Sequence, residues 1–157
     1  MNSITITRMH GLGNVVLLAD ASAFDDPASP PADLLAALPG LGADALIVHG
    51  SSEGGGRWMR TWNLDGSEAE LCGNGLRCLV QCCVDNGQLD GDGATVDSQC
   101  CRHEVRLEPD ASVTVSMPSR PSHCSTKCAA NRLERESANM RLTSASRTVG
   151  SLSFSSS

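Results

Sequence analysis

The chain has 157 residues, of which 40% are hydrophobic and 19% charged, and carries a net charge of −6; this is the size and composition of one globular domain. The acidic balance and the 3% aromatic content, with no tyrosine, argue against nucleic acid as a partner, whether by phosphate contacts or by base stacking. No apolar run approaches the ~20 residues of a membrane helix, and Met1-Asn2-Ser3-Ile4 is not a basic segment leading into an apolar one, so neither a membrane partner nor export is expected and the expected location is cytoplasmic.

In chain order, Ile4–Thr7 alternates as a strand does, and Gly11 and Gly13 bracket a turn before the apolar strand Val15–Ala19. Ala32–Leu38 is a short helix, with Pro31 suited to its start and Pro39-Gly40 to its end. Ala45–His49 reads as a buried strand, Ser51–Gly56 as a flexible loop, and Met59–Asn63 as a strand ended by the Asp65-Gly66 turn. Leu76, Leu79, Val80, Cys83 and Val84 then recur at helical spacing, and Asn86-Gly87 closes that helix. Thr95–Ser98, His103–Leu107 and Val113–Met117 read as three short strands. The sum is an α+β pattern with a mixed sheet.

Composition changes near residue 119. Residues 1–119 hold six Lys/Arg against sixteen Asp/Glu; residues 120–157 hold six against two, with ten serines and few apolar residues. The expectation is a folded body, 1–119, and a Ser-rich basic tail, 120–157, that is mostly disordered. A short docking helix near Asn131–Leu142 is the alternative within that tail.

The eight cysteines, without an export signal, read as thiols before disulfides. Cys72 is the informative one. It stands where the best helix begins, so free backbone N–H groups and the positive end of the helix dipole face its sulfur. Such a position favours the thiolate and so a base. Gly73 and Gly75 leave the backbone bare for a small anion such as a carboxylate. Cys78 and Cys82 with His103 can be drawn as a metal site, but no Cys-x-x-Cys pair is present and no metal is expected.

The run Asn63-x-Asp65-Gly66-Ser67-x-x-x-x-Cys72-Gly73-Asn74-Gly75-x-Arg77 resembles the signature of the diaminopimelate epimerases. Met9-His10-Gly11-Leu12-Gly13-Asn14 resembles that family's opening motif, and Gly40-Leu41-Gly42-Ala43-Asp44 a third motif between them. The resemblance covers residues 1 to about 119. It implies one half of a bilobal fold, with a mixed sheet wrapped around a central helix, and a cofactor-free isomerase of lysine biosynthesis that interconverts LL- and meso-diaminopimelate. Two cysteines on opposite faces of the α-carbon do that chemistry, one removing the proton and the other returning one. Carried over position by position, Cys72 matches the first catalytic cysteine. Gly73 and Asn74 match residues whose backbone meets the substrate α-carboxylate, and Asn14 and Asn63 match substrate-binding asparagines. Turn-forming roles are the plainer reading of Asn14 and Asn63, and a solvated or ion-paired face that of Arg77.

The chain also departs from the family. Val15-Val16 replaces the usual Asp-Phe, and Ala45 replaces the usual Gln or Gly. The second half, with its cysteine in a Cys-Gly-Ser/Thr-Gly context after a Glu-Arg pair, has no counterpart. Cys124 and Cys128 have no neighbouring glycine, and no cysteine follows Glu134-Arg135. The expectation is therefore a truncated or frame-disrupted epimerase that works only as a homodimer or with its missing second half. The alternative is a catalytically dead half-domain that binds a partner.

Overall fold

The computed structural model describes residues 2–89, 94–110, 113–116 and 147–154. Among these, strands β1 (Asn2–Gly11), β2 (Asn14–Asp20), β3 (Ala45–Ser51), β4 (Arg57–Asn63), β5 (Glu68–Ala69), β6 (Ala94–Asp97), β7 (Arg102–Leu107), β8 (Val113–Val115) and β9 (Arg147–Phe154) form one sheet. Two α-helices pack on it, α1 (Ala32–Ala37) and α2 (Gly73–Asp85). The strand order is β8-β7-β6-β4-β3-β2-β1-β9, with β5 beside β4. The β2–β3 and β4–β6 pairs are parallel and the others antiparallel. This is the mixed α+β sheet that the sequence predicts. No described helix is long and apolar enough to cross a membrane.

The central strands are buried on both faces, which explains their unbroken apolar sequences. Side chains alternate across a strand. Val16, Leu18, Ala45 and Ile47 therefore share one face with α2, while Leu17, Ala19, Leu46 and Val48 pack with Leu34 of α1 and its C-cap Leu38 on the other. β1 and β8 lie far apart along the sheet, yet both touch α2. The sheet therefore curls around that helix. The enclosure shows in α2 itself, where every residue from Gly75 to Val80 is buried. An amphipathic stripe is the sequence expectation; a helix buried on nearly all sides is the result, and small thiols at Cys78 and Cys82 fill faces the stripe leaves out.

Two elements extend the predicted set. β5 is a two-residue strand that Glu68 and Ala69 form by folding back on β4, too short to carry a periodic signal. β9 pairs antiparallel along β1 from Asn2↔Phe154 to Met9↔Arg147. Arg147–Phe154, within the 120–157 segment expected to be mostly disordered, thus continue the sheet beyond residue 119. The rest of that expectation, with Cys124, Cys128, Glu134-Arg135 and the helix near Asn131–Leu142, lies outside the described residues.

Candidate active site

Strand register brings the three glycine-containing motifs to one end of the sheet. Asn63 at the end of β4 stands opposite Ala45 at the start of β3. Ala45 stands opposite Val16 of β2, and Val16 opposite Met9 of β1. Asn14 begins β2, two residues before Val16. Alternation puts Asn14 in line with Val16 and Leu18, and Asn63 in line with Thr61 and Met59, so both asparagines occupy the α2 face. The N-terminus of α2 lies over this face: a Cβ on Gly75 would come 2.5 Å from Ile47 Cδ1 of β3.

The hairpin between β1 and β2 is closed by the Gly11↔Asn14 pair, with Leu12 and Gly13 at φ 50° and 90°. Positive φ at both central residues matches the right-handed twist of the strands, and a leucine there is uncommon. Leu12 is 59% exposed and points its side chain into solvent. The next motif is fastened to this hairpin. Asp44 Oδ2 accepts a hydrogen bond from the Val15 N–H at 2.8 Å, and the Asp44 N–H donates to the Val15 carbonyl at 2.8 Å. Gly42, at φ 62°, ends the turn that delivers Asp44.

Cys72 is the N-cap of α2. Its backbone is extended (φ −122°, ψ 102°), and its Sγ accepts a hydrogen bond from the Gly75 N–H at 3.3 Å. The sulfur thus takes the place that a Ser or Asp oxygen usually holds at a helix start. Cys72 is half-buried. A Cβ on Gly73 would meet nothing within 4 Å, so the backbone there borders open space. Gly75 differs, because Ile47 Cδ1 and Cys72 Sγ (3.2 Å) leave no room for a side chain.

The remaining site residues are held by local bonds. Asn63 Nδ2 donates to Ser67 Oγ at 3.1 Å, and the Asn63 N–H donates to the Ser67 carbonyl at 2.8 Å. Asp65 Oδ1 accepts from the Ser67 N–H and hydroxyl. Asn63 therefore braces the β4–β5 turn, the plainer role that its turn sequence suggests. Arg77 is a correction. It is buried rather than a solvated face, and its Nη1 donates to Asn74 Oδ1 at 3.0 Å. The signal was in the sequence, since residues three apart on a helix are neighbours.

The other thiols have different surroundings. Burial pushes Cys78 and Cys83 up to about 11, so both stay protonated at neutral pH and act as packing groups. His103 is not with Cys78 and Cys82, as the drawn metal site would need; it bonds Ser98 and Cys101 on the β6–β7 hairpin. Among the described residues, no group of three His, Cys, Asp or Glu side chains is placed to hold a metal ion.

The diaminopimelate epimerase family profile matches residues 6–121. The chain belongs to that family. It is 36% identical over 128 residues to the diaminopimelate epimerase of Methanocella arvoryzae, covering 74% of this chain and 44% of the relative. It is 37% identical over 121 residues to that of Neisseria meningitidis serogroup A, covering 74% and 43%. The chain thus spans less than half the length of these curated relatives. In fold it is similar to two solved structures of the phenazine biosynthesis PhzF family. The one from Bacillus anthracis superposes with a TM-score of 0.56 at 17% identity, over 73% of this chain and 40% of the other. The one from Enterococcus faecalis gives 0.56 at 13%, over 71% and 42%. The epimerase-family chain therefore has the fold of one part of a larger molecule, as the half-fold expectation has it.

Proposed function

We propose that this chain supplies one face of a diaminopimelate epimerase site, with Cys72 exchanging the α-proton of the substrate. The observation that carries the reading is the cap geometry: a half-buried sulfur held at the start of a buried helix by the Gly75 N–H. Deprotonating an amino-acid α-carbon without a cofactor needs a positioned base and a held carboxylate. Cys72 is the base. The free N–H groups of Gly73 and Asn74, at the positive end of α2, hold the carboxylate where negative charge grows. Asn74 is steadied by Arg77. Asn14 and Asn63, on the same face of the sheet end, bind the rest of the substrate.

Inversion also needs a proton donor on the opposite face of the α-carbon. In this reading the donor comes from a second polypeptide region, another copy or the part of the relatives that this chain does not span, and the Cys78, Cys82 and Cys83 thiols, buried along α2, serve as packing groups. Residues 1–119 hold every assigned site residue.

The test is incubation of the full chain with LL-diaminopimelate in D₂O, following deuterium at the α-carbon and meso product, with Cys72→Ala beside it. Deuterium uptake that disappears in Cys72→Ala is the expected result, and meso product shows that the second donor is present. Uptake that persists in Cys72→Ala overturns the proposal by assigning the exchange to another base, and no uptake from the folded wild-type chain overturns it in favour of the catalytically dead half-domain.

A further inference from the structure

The β6–β7 hairpin carries a cluster that the epimerase reading does not use. Cys100 Sγ and Cys101 Sγ lie 3.2 Å apart, and both thiols are half-buried. His103 Nε2 lies 3.4 Å from Cys101 Sγ and 3.0 Å from Ser98 Oγ. On the other side of the ring, His103 Nδ1 lies 3.2 Å from the carbonyl of Ser116, the residue that follows β8. A carbonyl only accepts, so Nδ1 carries the ring proton and Nε2 presents its lone pair to Cys101. Ser98 braces the turn: its Oγ accepts the Cys101 N–H at 3.3 Å and lies 3.0 Å from both the Cys101 carbonyl and His103 Nε2, two acceptors that share its one proton. The imidazole is fully buried, while the two cysteines are half-buried.

We propose that Cys100 and Cys101 are a peroxide-oxidised dithiol, closing to a disulfide between adjacent residues with His103 as the proton acceptor. The sulfur of Cys100 attacks one oxygen of hydrogen peroxide. An S–O bond forms, the O–O bond breaks, and the Cys100 thiol proton joins the departing hydroxide as water, leaving a sulfenic acid on Cys100. The sulfur of Cys101 then attacks the sulfur of Cys100, and its proton passes to His103 Nε2. The S–S bond forms, the S–O bond breaks, and the departing hydroxide takes that proton from His103 to become water, returning the imidazole to neutral. Two thiols lose two electrons, and one peroxide becomes two waters.

The division of roles follows from the surroundings. Burial and the bond to Cys100 raise Cys101 to about 11, so it stays a thiol and needs the base beside it. Burial lowers His103, against the Ser116 and Asp97 contributions, which keeps the imidazole neutral and able to accept. The product is easily reduced. Adjacent Cα atoms are about 3.8 Å apart, below the usual ~4.4–6.8 Å span of a disulfide, and that strain makes the bond labile.

The experiment treats the full wild-type chain with one equivalent of hydrogen peroxide, alkylates the remaining thiols, digests the protein and weighs the peptide holding both cysteines. The expected peptide lacks two hydrogens, takes up no alkylating agent, and recovers both thiols with reduced glutathione. In Cys101→Ser the reaction stops at a sulfenic acid on Cys100, trapped by dimedone. Full alkylation of Cys100 and Cys101 after peroxide, or a cross-link from either one to a different cysteine, overturns the proposal.

Discussion

Asp44 and Val15 exchange two hydrogen bonds of 2.8 Å, one through the Asp44 carboxylate and one through its backbone N–H. The two residues are 29 positions apart, and the clasp ties the loop entering β3 to the hairpin that presents Asn14. A hydrogen bond to a charged acceptor contributes about 1.5–3 kcal/mol when sheltered, and less here because Asp44 is exposed. Asp44→Ala is expected to cost about 1 kcal/mol in urea unfolding, and Asp44→Asn, which keeps an acceptor oxygen, about half of that. An unchanged midpoint in Asp44→Ala would show that the clasp contributes nothing to stability.

Gly75 is where α2 touches β3 most closely. Alanine there would set its Cβ 2.5 Å from Ile47 Cδ1, so Gly75→Ala is expected to destabilise by about 1–3 kcal/mol through overpacking. Ile47→Val removes that Cδ1 atom. The double variant should therefore be more stable than the sum of the single changes by more than ~0.5 kcal/mol, read from a double-mutant cycle by denaturation. Strict additivity would mean that the helix start shifts freely.

The far end of the sheet holds a buried pair of basic side chains. Arg57 Nη2 donates to His49 Nδ1 at 2.6 Å, and Arg57 also reaches Ser51 Oγ at 3.0 Å and Asp20 Oδ2 at 3.4 Å. Burial, and then the Arg57 charge, depress His49 from 6.5 to about 4, against the pull of Asp20. Between about pH 6.5 and 4 the unfolded chain binds the proton and the folded chain does not. Stability is full above pH 6.5 and falls as pH drops towards 4, by up to about 3 kcal/mol. His49→Gln should flatten that slope in unfolding curves taken across the window; an equally steep loss in the variant would assign it to other groups.

β5 is held to β4 by a forked ion pair. Arg60 Nε and Nη2 each donate to a Glu68 carboxylate oxygen at 2.7 Å, and the guanidinium lies 5.5 Å from the centroid of Trp62. Paired forks are the stronger kind of surface bridge, and Glu68 is mostly covered. Glu68→Gln is expected to cost about 1 kcal/mol. The loss should be smaller when both proteins are unfolded in molar salt, where the charge contribution is screened. A cost that salt leaves unchanged would point to shape and not to charge.

Local chemistry made much of this molecule legible in advance. Cys72 as a helix cap, the Asp65-Gly66 turn, the Asn86-Gly87 stop and the strand at Ala45 depend on a few neighbouring residues and their backbone preferences, so they can be read from short stretches of chain. Three ordered motifs carried the family.

What local sequence left open was everything set by residues distant along the chain. Asn14 and Asn63 share one face at one sheet end only because β2 runs parallel to β3 while β4 runs against it. Arg77 turns inward because the sheet curls round α2 and leaves it little outer face. β9 completes the edge of β1 from far along the chain. His103 meets Cys101, and not Cys78 or Cys82, because alternation along β7 buries His103 and exposes Arg102 and Glu104 on either side. Pairing register and enclosure are decided by which distant surfaces bury one another, and the folded chain alone determines that.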